Sequence, residues 1–169
     1  MFIKKEIGRG YQYMIKVLFV CLGNICRSPM AEAIFRDMLK KEGLEDEITV
    51  DSAGTGNWHI GKPPHEGTRS ILTENNIGFQ NIVARQVKQE DVTDFDYIIA
   101  MDAENLGNLR RLAGYTKTGF IGRLLDFVEE STIADVPDPY FTDNFDETYA
   151  LVKQGCQKLL ETIRSEHAI

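Results

Sequence analysis

The feature that most constrains this chain is an eight-residue segment, residues 21–28 (CLGNICRS), set between two apolar stretches. Residues 15–20 before it are apolar and rich in β-branched side chains, which predicts a buried strand. Residues 30–39 after it carry apolar side chains at helical spacing, and Ser28 and Pro29 are typical of a helix N-cap and first turn. The segment is therefore predicted to join the carboxyl end of a strand to the amino end of a helix. Open α/β sheets bind ligands at such places, and free backbone N–H groups there attract anions.

Within this loop, a thiol and a guanidinium stand where phosphate chemistry needs them. The helix end and Arg27 both favour the thiolate form of Cys21, and Ser28 can donate a hydrogen bond to it. Arg27 can hold two phosphate oxygens while Cys21 faces the phosphorus. Gly23 and Asn24 suit a tight turn, because both tolerate unusual backbone angles. The combination predicts phosphoryl transfer through a phosphocysteine. The predicted phosphate-binding residues are Leu22, Gly23, Asn24, Ile25, Cys26, Arg27 and Ser28.

The loop resembles the phosphate-binding loop of the low-molecular-weight protein tyrosine phosphatases. The pattern of Cys, five residues, Arg and Ser directly after the first strand is shared, and residues 17–35 (VLFVCLGNICRSPMAEAIF) are similar to that family almost residue for residue. The resemblance covers roughly residues 14–166. It implies an enzyme that hydrolyses phosphotyrosine in proteins without a metal or other cofactor.

The rest of the chain alternates between predicted strands and predicted helices. The strands are expected near residues 47–52, 95–101 and 120–125, and the helices near 65–76, 102–113 and 145–166. This alternation predicts an α/β fold, a parallel sheet with helices on both faces. The family resemblance implies four strands in the order 2-1-3-4. Residues 14–169 are predicted to form one domain. The polar residues 1–13 are interpreted as an extension that is loose, forms a short strand or contacts a partner.

The predicted reaction needs an acid to protonate the leaving phenolate and a base to activate water, and Asp138 is the candidate for both. Pro137 and Pro139 stiffen its segment, and Asp138-Pro139-Tyr140 is similar to the family's general-acid loop. Asp135 is the alternative acid. The ordinary role of an Asp-Pro pair is a turn, which is the alternative to a catalytic role for Asp138.

The resemblance also implies an aryl pocket with walls at Trp58 and Tyr140. Ile25 is predicted to add an apolar surface that favours a phenyl ring over a polar guanidinium. Trp58 is the only tryptophan, and a core anchor is the commoner role for such a residue. Phe141 stands where the family often has a second tyrosine.

A brace for the loop is implied through Asn24, Ser28 and Ser52. Ser52 resembles the family serine that holds Asn24, although a strand-end cap is an equally weighted alternative. The family often has a histidine where this chain has Ile82, so the resemblance implies that one bracing hydrogen bond is missing or replaced.

The charge and cysteine content limit the compartment and the partners. A net charge of −7 and a pI of about 5.0 argue against nucleic acid as a partner. Three cysteines do not suggest a secreted disulfide framework, and no signal peptide or membrane-spanning run is evident. We expect a cytoplasmic protein, a monomer or weak dimer, without a metal. Cys21 and Cys26 are predicted to form a reversible disulfide under mild peroxide, and Cys156 to be a core residue.

Four other functions use a similar loop or a reactive cysteine. An arsenate reductase of the same fold needs two further cysteines, and only Cys156 follows the loop. An arginine phosphatase is expected to carry Thr in place of Ile25. A phosphocysteine carrier does not need Arg27 or Asp138, and a redox sensor needs no turnover.

Overall fold

The chain folds around one parallel sheet. The computed structural model describes the backbone of residues 4–7 and 10–169 and the side chains of residues 13–169. The strands are β1 (Lys4–Ile7), β2 (Gly10–Tyr13), β3 (Ile15–Cys21), β4 (Ile48–Gly54), β5 (Tyr97–Ala100) and β6 (Phe120–Arg123). The helices are α1 (Arg27–Lys41), α2 (Glu66–Glu74), α3 (Asp91–Asp94), α4 (Ala103–Ala113), α5 (Pro139–Thr142) and α6 (Phe145–His167), with a 3-10 turn at Leu124–Phe127.

The main sheet has the strand order β4-β3-β5-β6, and every neighbouring pair is parallel. This is the order 2-1-3-4 that the family resemblance implied, so the predicted fold class is confirmed. β3 pairs with β4 from Ile15 to Cys21 and with β5 from Val17 to Val20. Because β3 is central, its carboxyl end opens into the loop of residues 21–28 with a strand on either side.

Two apolar clusters cover the two faces of the sheet. Val17, Phe19 and Cys21 belong to the larger cluster, which also contains the apolar faces of α1, α2 and α6. Leu18 and Val20 belong to the second, with α3 and α4. Successive residues of β3 therefore point to opposite layers, as the pleat of a strand requires, and β3 is buried on both faces.

Two predicted element boundaries are wrong. Ser28 does not cap α1, because the helix begins at Arg27 and the hydroxyl of Ser28 bonds side chains of the loop instead. The last strand ends at Arg123, and Leu124 and Leu125 follow in a 3-10 turn. Both leucines are buried in the larger cluster, whereas an extended strand would send them to opposite faces.

The amino-terminal residues form an antiparallel hairpin where the sequence suggested a loose segment or a short strand. β1 and β2 pair from Lys4 with Tyr13 to Ile7 with Gly10. The Tyr13 hydroxyl donates a hydrogen bond to Asp96, and the Tyr13 ring stacks on His167 at 6.4 Å between centroids. Residues 1–3, 8 and 9 lie outside the described residues. That residues 1–13 are separate from the domain stays a prediction.

Candidate active site

The loop of residues 21–28 places a thiol over the amino end of α1. Cys21 closes β3, and its Sγ lies 3.0 Å from the Oγ of Ser28. Asn24 has the left-handed backbone, with φ of 55°, that the sequence suggested for it. A Cβ on Gly23 would come within 3.0 Å of the His59 ring. The glycine therefore makes room for the pocket wall, while Asn24 makes the turn.

Arg27 is held behind the loop by fixed acceptors. Its side chain is 2% exposed, and its Nη1 donates to Asp102 Oδ2 at 2.7 Å and to the carbonyl of Val136 at 2.9 Å. Burial alone would lower the pKa of Arg27, but the negative charges of Cys21, Asp102 and Asp138 raise it above its ordinary value. Among the described atoms, the buried Nε of Arg27 has no hydrogen-bond partner. Nε and Nη2 form one edge of the guanidinium, an edge that can bind two oxygens of one phosphate.

Asp138 lies at the same cavity as Cys21. Its Oδ2 accepts a hydrogen bond from Arg27 Nη2 at 3.3 Å, and its Oδ1 accepts one from the backbone N–H of Tyr140 at 3.1 Å. Asp138 therefore caps the short helix α5, with Pro139 as its first residue. Asp135, the alternative acid, instead accepts from the backbone of Ala103 and from Arg123, and it does not line this cavity.

The cavity above Cys21 has a volume of about 310 Å³, at the small end of ligand sites. Ile25, Trp58 and Tyr140, the three residues predicted for the substrate pocket, line it. Trp58 and Tyr140 are 65% and 56% exposed, so neither is a core anchor. The other lining residues are Cys21, Leu22, Gly23, Cys26, His59, Asp138 and Phe141. A narrow apolar cleft with a thiol at its base suits a flat ring that carries a phosphate.

Asn24 is hydrogen-bonded to both serines of the predicted loop brace. Asn24 Nδ2 donates to Ser28 Oγ at 2.7 Å and to Ser52 Oγ at 3.0 Å, so Ser52 contacts Asn24 as the resemblance suggested. The Oδ1 of Asn24 accepts from the backbone N–H of Arg85 at 3.0 Å. Ile82 is buried in the larger apolar cluster and donates no side-chain hydrogen bond to this brace.

Cys26 and Cys156 are buried thiols with raised pKa values. Burial raises the pKa of Cys26 to about 12; the negative charges of Cys21 and Asp138 add to this shift and outweigh Arg27. Cys156 is wholly buried, and burial raises its pKa well above the ordinary range. Cys26 and Cys156 therefore stay protonated at neutral pH.

Comparison with known proteins decides the family. The model of the low molecular weight phosphotyrosine protein phosphatases matches residues 16–168. The chain belongs to this family. It is 63% identical over 153 residues to the low molecular weight protein-tyrosine-phosphatase YfkJ of Bacillus subtilis, covering 90% of this chain and 98% of that protein.

Other comparisons extend the similarity. The crystal structure of YfkJ matches with a TM-score of 0.90 over 94% of this chain and 99% of that one. PtpA of Staphylococcus saprophyticus is 49% identical over 89% of this chain and 94% of its own length. The crystal structure of DARP, described as a Drosophila arginine phosphatase, matches with a TM-score of 0.81 and 34% identity, covering 89% of this chain and 98% of that one.

Several residues at the site of this low molecular weight phosphatase family member had no assigned role in the sequence analysis. Asp102 holds Arg27 through Oδ2 and also caps α4, because its Oδ1 accepts from the backbone N–H of Asn105. Gly54 was given no role by the sequence. A Cβ at this position would lie 2.8 Å from the Leu22 carbonyl oxygen, so the glycine allows the loop backbone to pass close to β4. Glu32 is a buried carboxylate behind the loop. An acidic residue at a helical core position is the sequence signal that could have marked Glu32.

Across the described side chains, no group of three His, Cys, Asp or Glu residues is close enough together to hold a metal ion. None of the helices formed by the described residues is both long and apolar enough to cross a bilayer.

Proposed function

We propose that Cys21 attacks the phosphorus of a phosphotyrosine side chain and that Asp138 serves as general acid and then general base. In the first step the bond between Sγ and phosphorus forms, the bond from phosphorus to the tyrosyl oxygen breaks, and Asp138 gives its proton to that oxygen. In the second step Asp138 takes a proton from water, whose oxygen attacks phosphorus and releases the thiolate and inorganic phosphate.

The observation that carries this proposal is that Cys21 and Asp138 line one cavity with largely apolar walls, while the buried Arg27 donates to Asp138 from behind the loop. Backbone N–H groups of the loop and the free edge of Arg27 can hold the phosphate oxygens throughout both steps. Asp102 and Val136 fix Nη1 of the Arg27 guanidinium, which leaves Nε for the phosphate, together with Nη2 once its 3.3 Å contact with Asp138 is exchanged for a phosphate oxygen.

The direct test is hydrolysis of p-nitrophenyl phosphate by the purified protein in the presence of a metal chelator. We expect turnover by the natural protein and none by Cys21→Ser, which should still bind inorganic phosphate. Turnover by Cys21→Ser would mean that another group attacks. A burst of p-nitrophenol equal to the enzyme concentration, with no turnover afterwards, would indicate a phosphocysteine carrier.

For substrate choice we propose phosphotyrosine over phosphoarginine and phosphoserine. Ile25 offers the phenyl ring an apolar surface, whereas a buried guanidinium beside it would leave donors unpaired, at a cost of roughly 1–3 kcal/mol. The stem of phosphoserine is too short to bring phosphorus to Cys21 at the base of the cleft.

A panel of phosphopeptides that differ only in the phosphorylated residue tests this choice. Ile25→Thr should narrow the gap between phosphotyrosine and phosphoarginine, and Trp58→Ala should weaken aryl substrates mainly through KM. The arginine phosphatase alternative gains its support from the similarity to DARP. Equal cleavage of phosphoarginine and phosphotyrosine by the natural protein would favour that alternative while leaving the Cys21 chemistry intact.

We further propose that the substrates are cytoplasmic proteins that carry phosphotyrosine. The protein is proposed to act on them as a monomer or weak dimer. Three unpaired cysteines favour a reducing compartment. The arsenate reductase alternative would need Cys156 to take part in electron transfer. It is disfavoured, because this thiol is wholly buried beside the Ala31 carbonyl in the core.

A further inference from the structure

A buried carboxylate lies behind the phosphate loop and takes no part in the proposed reaction. Glu32, on α1, is only 5% exposed. Its Oε1 accepts a hydrogen bond from Ser52 Oγ at 2.7 Å, and its Oε2 accepts one from Arg36, one helical turn further on. A buried charge is costly unless its oxygens are satisfied, and here both oxygens have a donor.

The donor directions around Asn24 follow from this arrangement. Asn24 Oδ1 accepts from the Arg85 backbone, so its amide nitrogen must face the two serines and donate to both. Each serine hydroxyl then has its own single proton to place elsewhere. Ser52 gives its proton to Glu32, because a carboxylate can only accept.

The second branch ends on the nucleophile. Ser28 Oγ accepts from Asn24, so the Ser28 proton is free for Cys21 Sγ at 3.0 Å; the alternative acceptor, the Ala53 carbonyl, lies at 3.5 Å. One branch from Asn24 therefore terminates on the Glu32 carboxylate and the other on the Cys21 sulfur. If Glu32 were a donor, Ser52 would have to accept from Glu32 and from Asn24, and its own proton would lose its acceptor.

Arg36 supports the charge of Glu32. Burial raises the pKa of Glu32; the hydrogen bond from Ser52 and the charge of Arg36 oppose that shift, and Asp51 on β4 adds to it. Asp51 in turn pairs with Arg85. Arg36 also donates to the Gln80 carbonyl at 2.9 Å, in the segment that carries Ile82. Arg36 therefore forms a hydrogen bond with that segment, whereas the apolar side chain of Ile82 cannot form one.

We propose that Glu32 and Arg36 are positioning residues that hold Ser52, and through it Asn24, in the place from which Ser28 donates to Cys21. The inference rests on the proposed role of Cys21 as nucleophile. Glu32 needs two acceptor oxygens for this task, one for Ser52 and one for Arg36.

The test uses the isosteric Glu32→Gln, whose amide has only one acceptor oxygen. Arg36 and Ser52 then compete for this single oxygen. The series of hydrogen bonds that runs from Ser52 through Asn24 and Ser28 to Cys21 is therefore disrupted. Removing the competitor in the double variant Glu32→Gln/Arg36→Met leaves that oxygen to Ser52. Asp37→Asn is the matched control, because Asp37 forms an exposed ion pair with Lys41 on the same helix.

The first readout is the pH midpoint of Cys21 alkylation by iodoacetamide, and the second is kcat and KM for p-nitrophenyl phosphate. For Glu32→Gln we expect the pH midpoint of alkylation to rise by about 0.5 to 1 pH unit, because an anion loses part of its hydrogen-bond support. We also expect kcat to fall by roughly tenfold. KM should change by less than about threefold, because the phosphate contacts remain. The double variant should recover at least about half of the change in the midpoint and in log kcat. Asp37→Asn should have the same midpoint and kcat as the natural protein.

A purely structural role gives a different result. A less stable Glu32→Gln protein with an unchanged midpoint, or a double variant no better than Glu32→Gln, overturns the proposal. If Glu32→Gln does not fold, Arg36→Met must raise the midpoint and Arg36→Lys must restore it, and an unchanged Arg36→Met overturns the proposal as well. Alkylation needs no phosphate ester, so the outcome stands even if the protein hydrolyses none.

Discussion

Asp138 is bound at both of its oxygens in the structure, one by Arg27 and one by the amino end of α5. These contacts aim the carboxylate at the cavity that Cys21 closes from below. A sequence alone could suggest the role through the flanking prolines. The sequence favoured Asp138 over Asp135 only through the family resemblance, because the physical distinction is which carboxylate lines the cavity.

Asp138→Ala should slow hydrolysis in proportion to the basicity of the leaving group. We expect losses of about 10²–10⁴ in kcat for phenyl phosphates with poor leaving groups, and much smaller losses for p-nitrophenyl phosphate and more acidic phenols. The measurement is the slope of log kcat against leaving-group pKa, which should be steeper for the variant. Parallel slopes would contradict the assignment, and Asp135→Ala serves as the control because it lies outside the cavity.

Cys26 should protect Cys21 from irreversible oxidation. Peroxide oxidises the Cys21 thiolate to a sulfenic acid with release of hydroxide, and the Cys26 sulfur then displaces the sulfenic oxygen to form a disulfide. Because the pKa of Cys26 is raised to about 12, disulfide closure should accelerate as the pH rises toward that value. Cys26→Ser should recover less activity in thiol after peroxide, whereas Cys156→Ala should recover like the natural protein. Equal recovery of all three would argue against the disulfide.

At the scale of elements, periodicity located strands and helices well because most of them bury one side against a sheet. Periodicity failed where contacts with distant parts of the fold determine the local backbone structure. Ser28 resembles a helix cap in the sequence, but its hydroxyl is hydrogen-bonded to both Cys21 and Asn24 in the loop. Leu124 and Leu125 read as the end of a strand, but both belong to one apolar cluster, which requires a helical turn.

Two mid-helix glycines test the packing of the elements. A Cβ on Gly155 of α6 would lie 2.4 Å from Leu124 Cγ, so Gly155→Ala should lower the free energy of unfolding by about 1–3 kcal/mol. Gly107 of α4 has nothing within 4 Å of such a Cβ, so Gly107→Ala should raise that free energy by about 0.5–1 kcal/mol through helix propensity. Urea unfolding of both variants provides the comparison. Similar shifts for the two would contradict this account of the α6 contact.

At the scale of the whole molecule, the fold was predictable from one motif and its family resemblance, and the resemblance also suggested the contact of Asn24 with Ser52, while the contacts of Glu32 with Ser52 and of Arg27 with Asp102 were not predicted. Glu32 meets Ser52 across 20 residues, and Arg27 meets Asp102 across 75. No local pattern encodes contacts between positions so far apart. They follow from β4 and β5 flanking β3 and bringing their carboxyl ends to the same edge of the sheet.

The net charge of −7 should influence how substrates approach. At low ionic strength the screening length reaches about 30 Å, so a strongly acidic phosphopeptide meets repulsion from the whole molecule before it reaches Arg27. We expect kcat/KM for an acidic phosphopeptide to rise with added salt, and that for a basic phosphopeptide of equal length to fall. A fall for both peptides would mean that the positive field of the site dominates at long range.

The contact between Arg27 and Asp138 gives the enzyme an internal competitor for its own product. Inorganic phosphate and the Asp138 carboxylate both seek the Nη2 side of one guanidinium, so Asp138 can displace phosphate as the reaction ends. Product inhibition should therefore be weak in the natural protein. Asp138→Asn removes the rival charge and should lower the inhibition constant for phosphate by roughly two- to fivefold, the range expected for a partly exposed ion pair. The residue that delivers the proton would thereby also clear the site for the next substrate.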